Sequence, residues 1–198
     1  MMDKWLRPLV WMDYRLGVLL AVIVPLALLI WALFQKQEAM QRLLIIYWRV
    51  ASLLMIALYL MIPDWKVGYI VGFAARVLIA ISLWFWVDIN EEIRDIPSSL
   101  IKLVFTSWRW AMTGYCFLGA IAKAFSLPCG ISNAIVESAV CQVWLEAPEA
   151  YRNFFHSKPG NEGFLGFLGS VGLTIYVIYL AYFVLIRLGK QGRSALEQ

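Results

Sequence analysis

Acidic residues are absent from every long apolar stretch of this chain, and histidine is nearly absent altogether. His156 is the only one, beside three cysteines. Two cysteines and one distant histidine fall short of the four ligands of a structural zinc site, so no metal is expected. Haem held between two histidines of one chain is excluded. Serines and threonines in the apolar stretches have no histidine or carboxylate nearby, so no catalytic residue can be nominated. Walker loops, dinucleotide fingerprints and nucleophile-and-base patterns are missing as well. No cofactor is evident; a bound lipid or pigment is left open.

Charge is scarce. Asp, Glu, Lys and Arg make up 15% of the 198 residues, against about 25% in an average soluble domain, while 62% are hydrophobic and the mean hydropathy is +0.73. The apolar excess comes in blocks near the ~20 residues that cross a hydrocarbon core. This predicts an all-α membrane protein, residues 1–198 forming one membrane domain. The bundle has about five transmembrane helices, with an extra interfacial or re-entrant helix left open. The spans fall at about 17–34, 43–62, 68–87, 100–125 and 164–188, with an extramembrane or interfacial connection at 126–163. The net charge of +4 sits in loops and ends, which suits anionic headgroups rather than nucleic acid.

Within this frame, Trp5 to Trp11 reads as an interfacial lead-in to a retained first span rather than a cleaved signal peptide, because no small-residue cleavage site closes the run. Pro25 predicts a kink. Pro63-Asp64-Trp65-Lys66 makes a tight turn between antiparallel neighbours. In the long connection, 131–145 is mildly amphipathic, with Ile131, Ile135, Ala139 and Val143 at helical spacing, and 148–163 reads as a polar loop. Five spans put the termini on opposite sides. Seven basic residues (Lys36, Arg42, Arg94, Lys102, Arg187, Lys190, Arg193) face six (Lys4, Arg7, Arg15, Lys66, Arg152, Lys158), so the positive-inside rule barely decides. The basic tail after the last span favours a cytoplasmic C-terminus.

Three arginines interrupt the apolar runs, and a charge at bilayer depth costs several kcal/mol or more. Arg49 and Arg109 each lie about 10 Å below a basic residue at the interface, and Arg76 lies about 18 Å from Asp88, past the midplane of a ~30 Å core. Asp88, Glu91, Glu92 and Asp95 share that membrane face with Lys102 and with Trp48, Trp84, Trp86, Trp108 and Trp110. Arg49 and Arg109 can snorkel to headgroups. Arg76 is expected to pair within the bundle or through water with Asp88 and Glu91, or to converge with the other two arginines on an anionic group. The candidate lipid- or partner-binding residues are therefore Arg49, Arg76, Asp88, Glu91, Glu92, Lys102 and Arg109. Lys102, Thr106, Arg109, Thr113, Cys116 and Lys123 form one stripe along the fourth span.

Cys129 and Cys141 form a candidate disulfide if their loop faces an oxidising compartment, whereas Cys116 reads as a packing residue. Gly163, Gly166, Gly169 and Gly172 are expected to let helices approach closely within the chain. His156 reads as an exposed loop residue.

Four strings carry a resemblance: RLLIIYWRVASLL at 42–54, LWFWVDINEE at 83–92, FTSWRW at 105–110 and RLGKQGR at 187–193. Together they resemble an uncharacterised integral-membrane family of cyanobacteria, a domain of unknown function. The resemblance implies a plasma or thylakoid membrane and carries no reaction. The expected function is a non-catalytic membrane protein that binds partner proteins or anionic lipid, as an accessory or assembly factor for membrane complexes. One alternative is a small anion transporter or channel using the basic stripe of the fourth span. The other is an enzyme on lipid headgroups, with Asp88 or Glu91 as acid/base.

Overall fold

A computed structural model describes residues 3–131, 138–158 and 160–194, and the described chain is helical without strands. The helices are α1 (Asp3–Gly17), α2 (Val24–Phe34), α3 (Glu38–Met61), α4 (Val67–Phe85), α5 (Val87–Asp95), α6 (Leu100–Ala124), α7 (Ala139–Phe155), α8 (Glu162–Tyr182) and α9 (Leu188–Gln191). A π-helical segment, Val18–Ile23, joins α1 to α2, and another, Phe183–Arg187, joins α8 to α9. Four helices are long and apolar enough to cross a membrane: Leu6–Phe34, Glu38–Met61, Val67–Phe85 and Glu162–Lys190. At 25 residues α6 is longer than α4, but its basic and hydroxyl-bearing stripe keeps it out of that apolar set.

α3 is the hub. It packs along α4 and α8 and also touches α2 and α5. Met40, Leu43, Leu44 and Tyr47 recur every three or four residues and are completely buried, as the core stripe of a helix must be. The turn after α3 places Asp64 at φ 58°, in the left-handed region that aspartate tolerates better than most residues, and α4 returns antiparallel as the turn predicts.

The first span is longer than its apolar run. The lead-in segment is not separate: α1 runs straight into the π segment, so Asp13 belongs to the helix Leu6–Phe34 that is long and apolar enough to cross a membrane. Pro25 causes the irregularity. It has no N–H to offer the carbonyl four residues back in an α-turn, or five back in a π-turn. Those carbonyls receive side chains instead. Tyr47 Oη donates to Ala21 O at 2.9 Å and Trp108 Nε1 to Leu20 O at 2.9 Å. The two rings meet edge to face, centroids 5.0 Å apart.

The polar loop expected from 148 onward is instead half helix, since α7 continues through Pro148 to Phe155. Pro148 costs a backbone hydrogen bond. Its helix persists because Val143, Trp144, Leu145, Ala147 and Pro148 form a buried apolar face, docked with Val10 and Tyr69. Arg7 and Trp11 of α1 both donate to Glu146. Of the amphipathic stretch 131–145, residues 132–137 lie outside the described ones.

Candidate functional site

Arg76 sits at the centre of α4 and is 5% exposed. Its partner is Asp13, at 2.5 Å, not Asp88 or Glu91 as the turn order suggests. Tyr115 completes the arrangement. Its ring lies beside the guanidinium, 5.1 Å from centroid to Cζ, and its hydroxyl donates to Asp13 O at 3.1 Å. Glycine provides the space: a Cβ at Gly119 would fall inside the Arg76 guanidinium, and one at Gly17 would lie 2.9 Å from the Tyr115 hydroxyl. Nε and Nη1 of Arg76 are buried without a hydrogen-bond partner.

The same device recurs one turn away. Lys123, 8% exposed, extends its ammonium to within 4.0 Å of where a Cβ at Gly72 would stand, and lies 4.3 Å from the centroid of Trp144. Thus α4 and α6 run antiparallel with Gly72 opposite Lys123 and Arg76 opposite Gly119. Each helix places a cation into the other's glycine notch.

Arg109 and Lys102 have a different use. The last carbonyls of a helix lack intrahelical donors and carry the negative end of its dipole. Arg109, 4% exposed, donates to Leu83 O at the end of α4 and to Asn90 Oδ1 of α5, both at 2.6 Å. It also stacks 4.2 Å from Trp84. Lys102 donates to Arg94 O at 2.7 Å and Ile96 O at 2.5 Å, closing the end of α5. These two members of the basic stripe therefore cap helices, and Thr113 accepts from Trp84 Nε1 at 2.8 Å. Arg109 does not snorkel, and Trp86 and Trp108 are buried in the core rather than spread along an interface. The three arginines do not converge.

Of the carboxylates, Glu92 pairs with Arg42 at 3.4 Å, Glu91 with Arg94 at 3.7 Å, and Asp88 accepts from Ser194 at 3.1 Å. All belong to α5 and its surroundings, and none of them pairs with Arg76.

Arg49 stands apart. It is exposed, and its side chain makes no ion pair or hydrogen bond among the described residues. It lines a groove of about 380 Å³ between α3, α4 and the α8–π segment, with walls that include Ile46, Val50, Ile81, Phe85, Tyr179 and Phe183. Arg42 and Arg187 stand at the same groove, which is thus apolar along its length and basic on one side.

α8 forms the far wall. Cβ atoms at Gly166, Gly169 and Gly172 would meet Pro63, Leu60 and Ile56 at 2.6, 3.1 and 3.2 Å, whereas Gly163 faces nothing within 4 Å. Three of the four glycines thus seat α8 on α3, and the rest of that span is open to its surroundings.

Cys129 and Cys141 form a disulfide, Cα atoms 5.9 Å apart, and Cys116 is a buried free thiol. His156 is half-buried rather than a plain loop residue, with Nε2 3.4 Å from the Tyr59 hydroxyl. Among the described residues no cluster of three His, Cys, Asp or Glu could hold a metal.

The residues that sequence reasoning missed are Asp13, Tyr115 and Gly119. Gly119 and Lys123, like Gly72 and Arg76, share a four-residue spacing between a glycine and a basic residue, and that repeat is the signal that points to them.

A family model described as Protein of unknown function (DUF3177) matches residues 7–196. No curated protein and no solved structure matches the chain.

Proposed function

We propose, from the premise that this chain belongs to the DUF3177 family of proteins of unknown function, that it is a non-catalytic membrane protein that holds an anionic phospholipid in the Arg49 groove. The supporting observation is Arg49 itself, an exposed cation without an ion pair among the described residues, on the basic side of a groove that is apolar along its length. Such a site suits one amphiphile: acyl chain along Ile46, Ile81 and Phe183, phosphate toward Arg49, Arg42 and Arg187. A zwitterionic headgroup would lose the net attraction, worth ~1 kcal/mol per basic residue near an anionic surface.

In this reading α6 is the fifth span: Leu103, Trp110, Phe117 and Leu118 face lipid, while Arg109 and Lys123 turn inward toward its neighbours rather than toward hydrocarbon. The disulfide favours the orientation in which the face with Cys129, Cys141 and the Pro63 turn lies in an oxidising compartment and the groove's basic end opens toward the cytoplasmic leaflet. The exposed flank of α8 is the surface left for a membrane-protein partner. An accessory role in a cyanobacterial plasma or thylakoid membrane fits the resemblance carried by the four strings.

The test is thermal unfolding in mild detergent with added phosphatidylglycerol or phosphatidylcholine. Phosphatidylglycerol should raise the midpoint selectively, and Arg49→Gln should weaken its apparent affinity ~5-fold, the equivalent of ~1 kcal/mol. Equal responses to the two lipids would overturn the proposal.

A further inference from the structure

The Arg76 cluster is separate from the lipid groove and carries an imbalance of its own. Two cations, Arg76 and Lys123, are each more than nine-tenths buried, and one carboxylate, Asp13, accompanies them. Asp13 is bonded to Arg76 through Nη2 alone. Nε and Nη1 of Arg76 have no acceptor. The Lys123 ammonium lies over the Trp144 face, 4.3 Å from the ring centroid. The charges acting on Lys123 are those of Arg76 and Asp13. Two buried basic side chains thus share one carboxylate inside the bundle, where an unpaired ion is costly.

Geometry puts both cations in one strip. Arg76 and Gly72 are one turn apart on α4, as are Lys123 and Gly119 on α6, and the glycine notches bring each cation across to the facing helix. The two charged groups are therefore offset by on the order of 6 Å along the helices, close enough for one small ion to meet donors of both. Burial of both side chains, with Trp144 over the lysine, excludes a headgroup or a carboxylate-bearing ligand of any size. We propose that a small monovalent anion of the halide type binds between Arg76 and Lys123, supplying the missing negative charge and the missing acceptors. Asp13 and the anion then share the two cations between them.

The probe is chloride, exchanged for gluconate at constant ionic strength, with the full chain in detergent and no lipid added. Because the lipid groove is empty in this assay, failure here leaves the lipid proposal standing. The wild-type unfolding midpoint should rise on the order of 5 °C in chloride, as expected when an ion binds only the folded state. Lys123→Met keeps the volume and removes the second basic group. It should be at least as stable as the wild type in gluconate and should have lost the chloride response. Asp13→Asn removes the competing carboxylate, so it should reach its half-maximal response at a chloride concentration at least ~10-fold lower, an effect of ~1.4 kcal/mol in binding. Equal wild-type midpoints in chloride and gluconate would overturn the proposal, as would a full response in Lys123→Met. If Lys123→Met cannot be purified, Asp13→Asn decides: an unchanged chloride requirement contradicts the site.

Discussion

The guanidinium of Arg76 occupies the volume that any side chain at position 119 would fill. Glycine at 119 is thus part of the ion-pair site although it carries no functional group. Gly119→Ala should push Arg76 away from Asp13 and leave both charges poorly matched at bilayer depth. Breaking a buried pair costs about 3–5 kcal/mol, and the loss should be read from the unfolding midpoint in detergent. Adding Arg76→Met to Gly119→Ala should recover part of it, since the overlap with the methyl group is relieved. Simple additivity of the two changes would show that they do not act through one contact.

The proline in the first span makes a second, independent prediction. Tyr47→Phe removes the donor to the Ala21 carbonyl and should destabilise the protein by about 1–2 kcal/mol, the cost of an unsatisfied buried acceptor. In a Pro25→Ala background the backbone N–H at 25 can serve that carbonyl, so the same Tyr47→Phe change should cost about 0.5 kcal/mol or less. Equal costs in both backgrounds would detach Tyr47 from the proline.

The disulfide closes a loop with a sequence separation of 12. Replacing Cys129 and Cys141 with alanine should cost about 2–3 kcal/mol by releasing that loop in the unfolded chain. Alkylation of the unfolded, non-reduced protein should label Cys116 and nothing else, and mass spectrometry reads this directly. Labels on all three cysteines would mean that the bridge does not form.

Asp64 allows a pH test outside the spans. Partial desolvation at the turn, with the Glu149 and Glu162 carboxylates adding to it, raises the carboxyl of this solvent-exposed residue above the ordinary value. The folded state therefore holds this proton more tightly than the unfolded chain. Stability from this group is fully present at acid pH and falls as pH climbs from the ordinary carboxylate range through the raised value. Asp64→Asn keeps a side chain that tolerates φ 58° and should raise the unfolding midpoint at neutral pH. The difference should vanish when pH drops below the ordinary carboxylate range, and a difference independent of pH would assign it to the turn geometry instead.

Hydropathy is a good guide to where the long apolar helices lie and a poor guide to what their charges touch. The runs at 43–62, 68–87 and 164–188 became α3, α4 and α8, and the turn at Pro63 was readable from four residues. Asp13 was not, because an apolar-run reading stops at Arg15, whereas the backbone hydrogen bonding of a helix continues through charged residues without interruption. The partners of Arg109 and Lys102 were equally hidden, since carbonyl oxygens at helix ends have no sequence signature. Pro148 obscured α7, whose persistence depends on tertiary burial of Trp144 and Leu145. The Arg49 groove is completed on the α3–α4 pair by the α8–π segment, which lies far from both in the chain. Only their packing, set by Gly166, Gly169 and Gly172, makes it a groove at all.

The most direct test of the lipid-binding account is native mass spectrometry of the protein released from a membrane extract. Wild type should retain phosphatidylglycerol or another anionic phospholipid as a near-stoichiometric adduct, and Arg49→Gln and Gly169→Leu should each lose most of it, one through the charge and the other through the groove wall. A wild-type protein that carries no anionic lipid, or an adduct that survives both substitutions unchanged, would contradict the account.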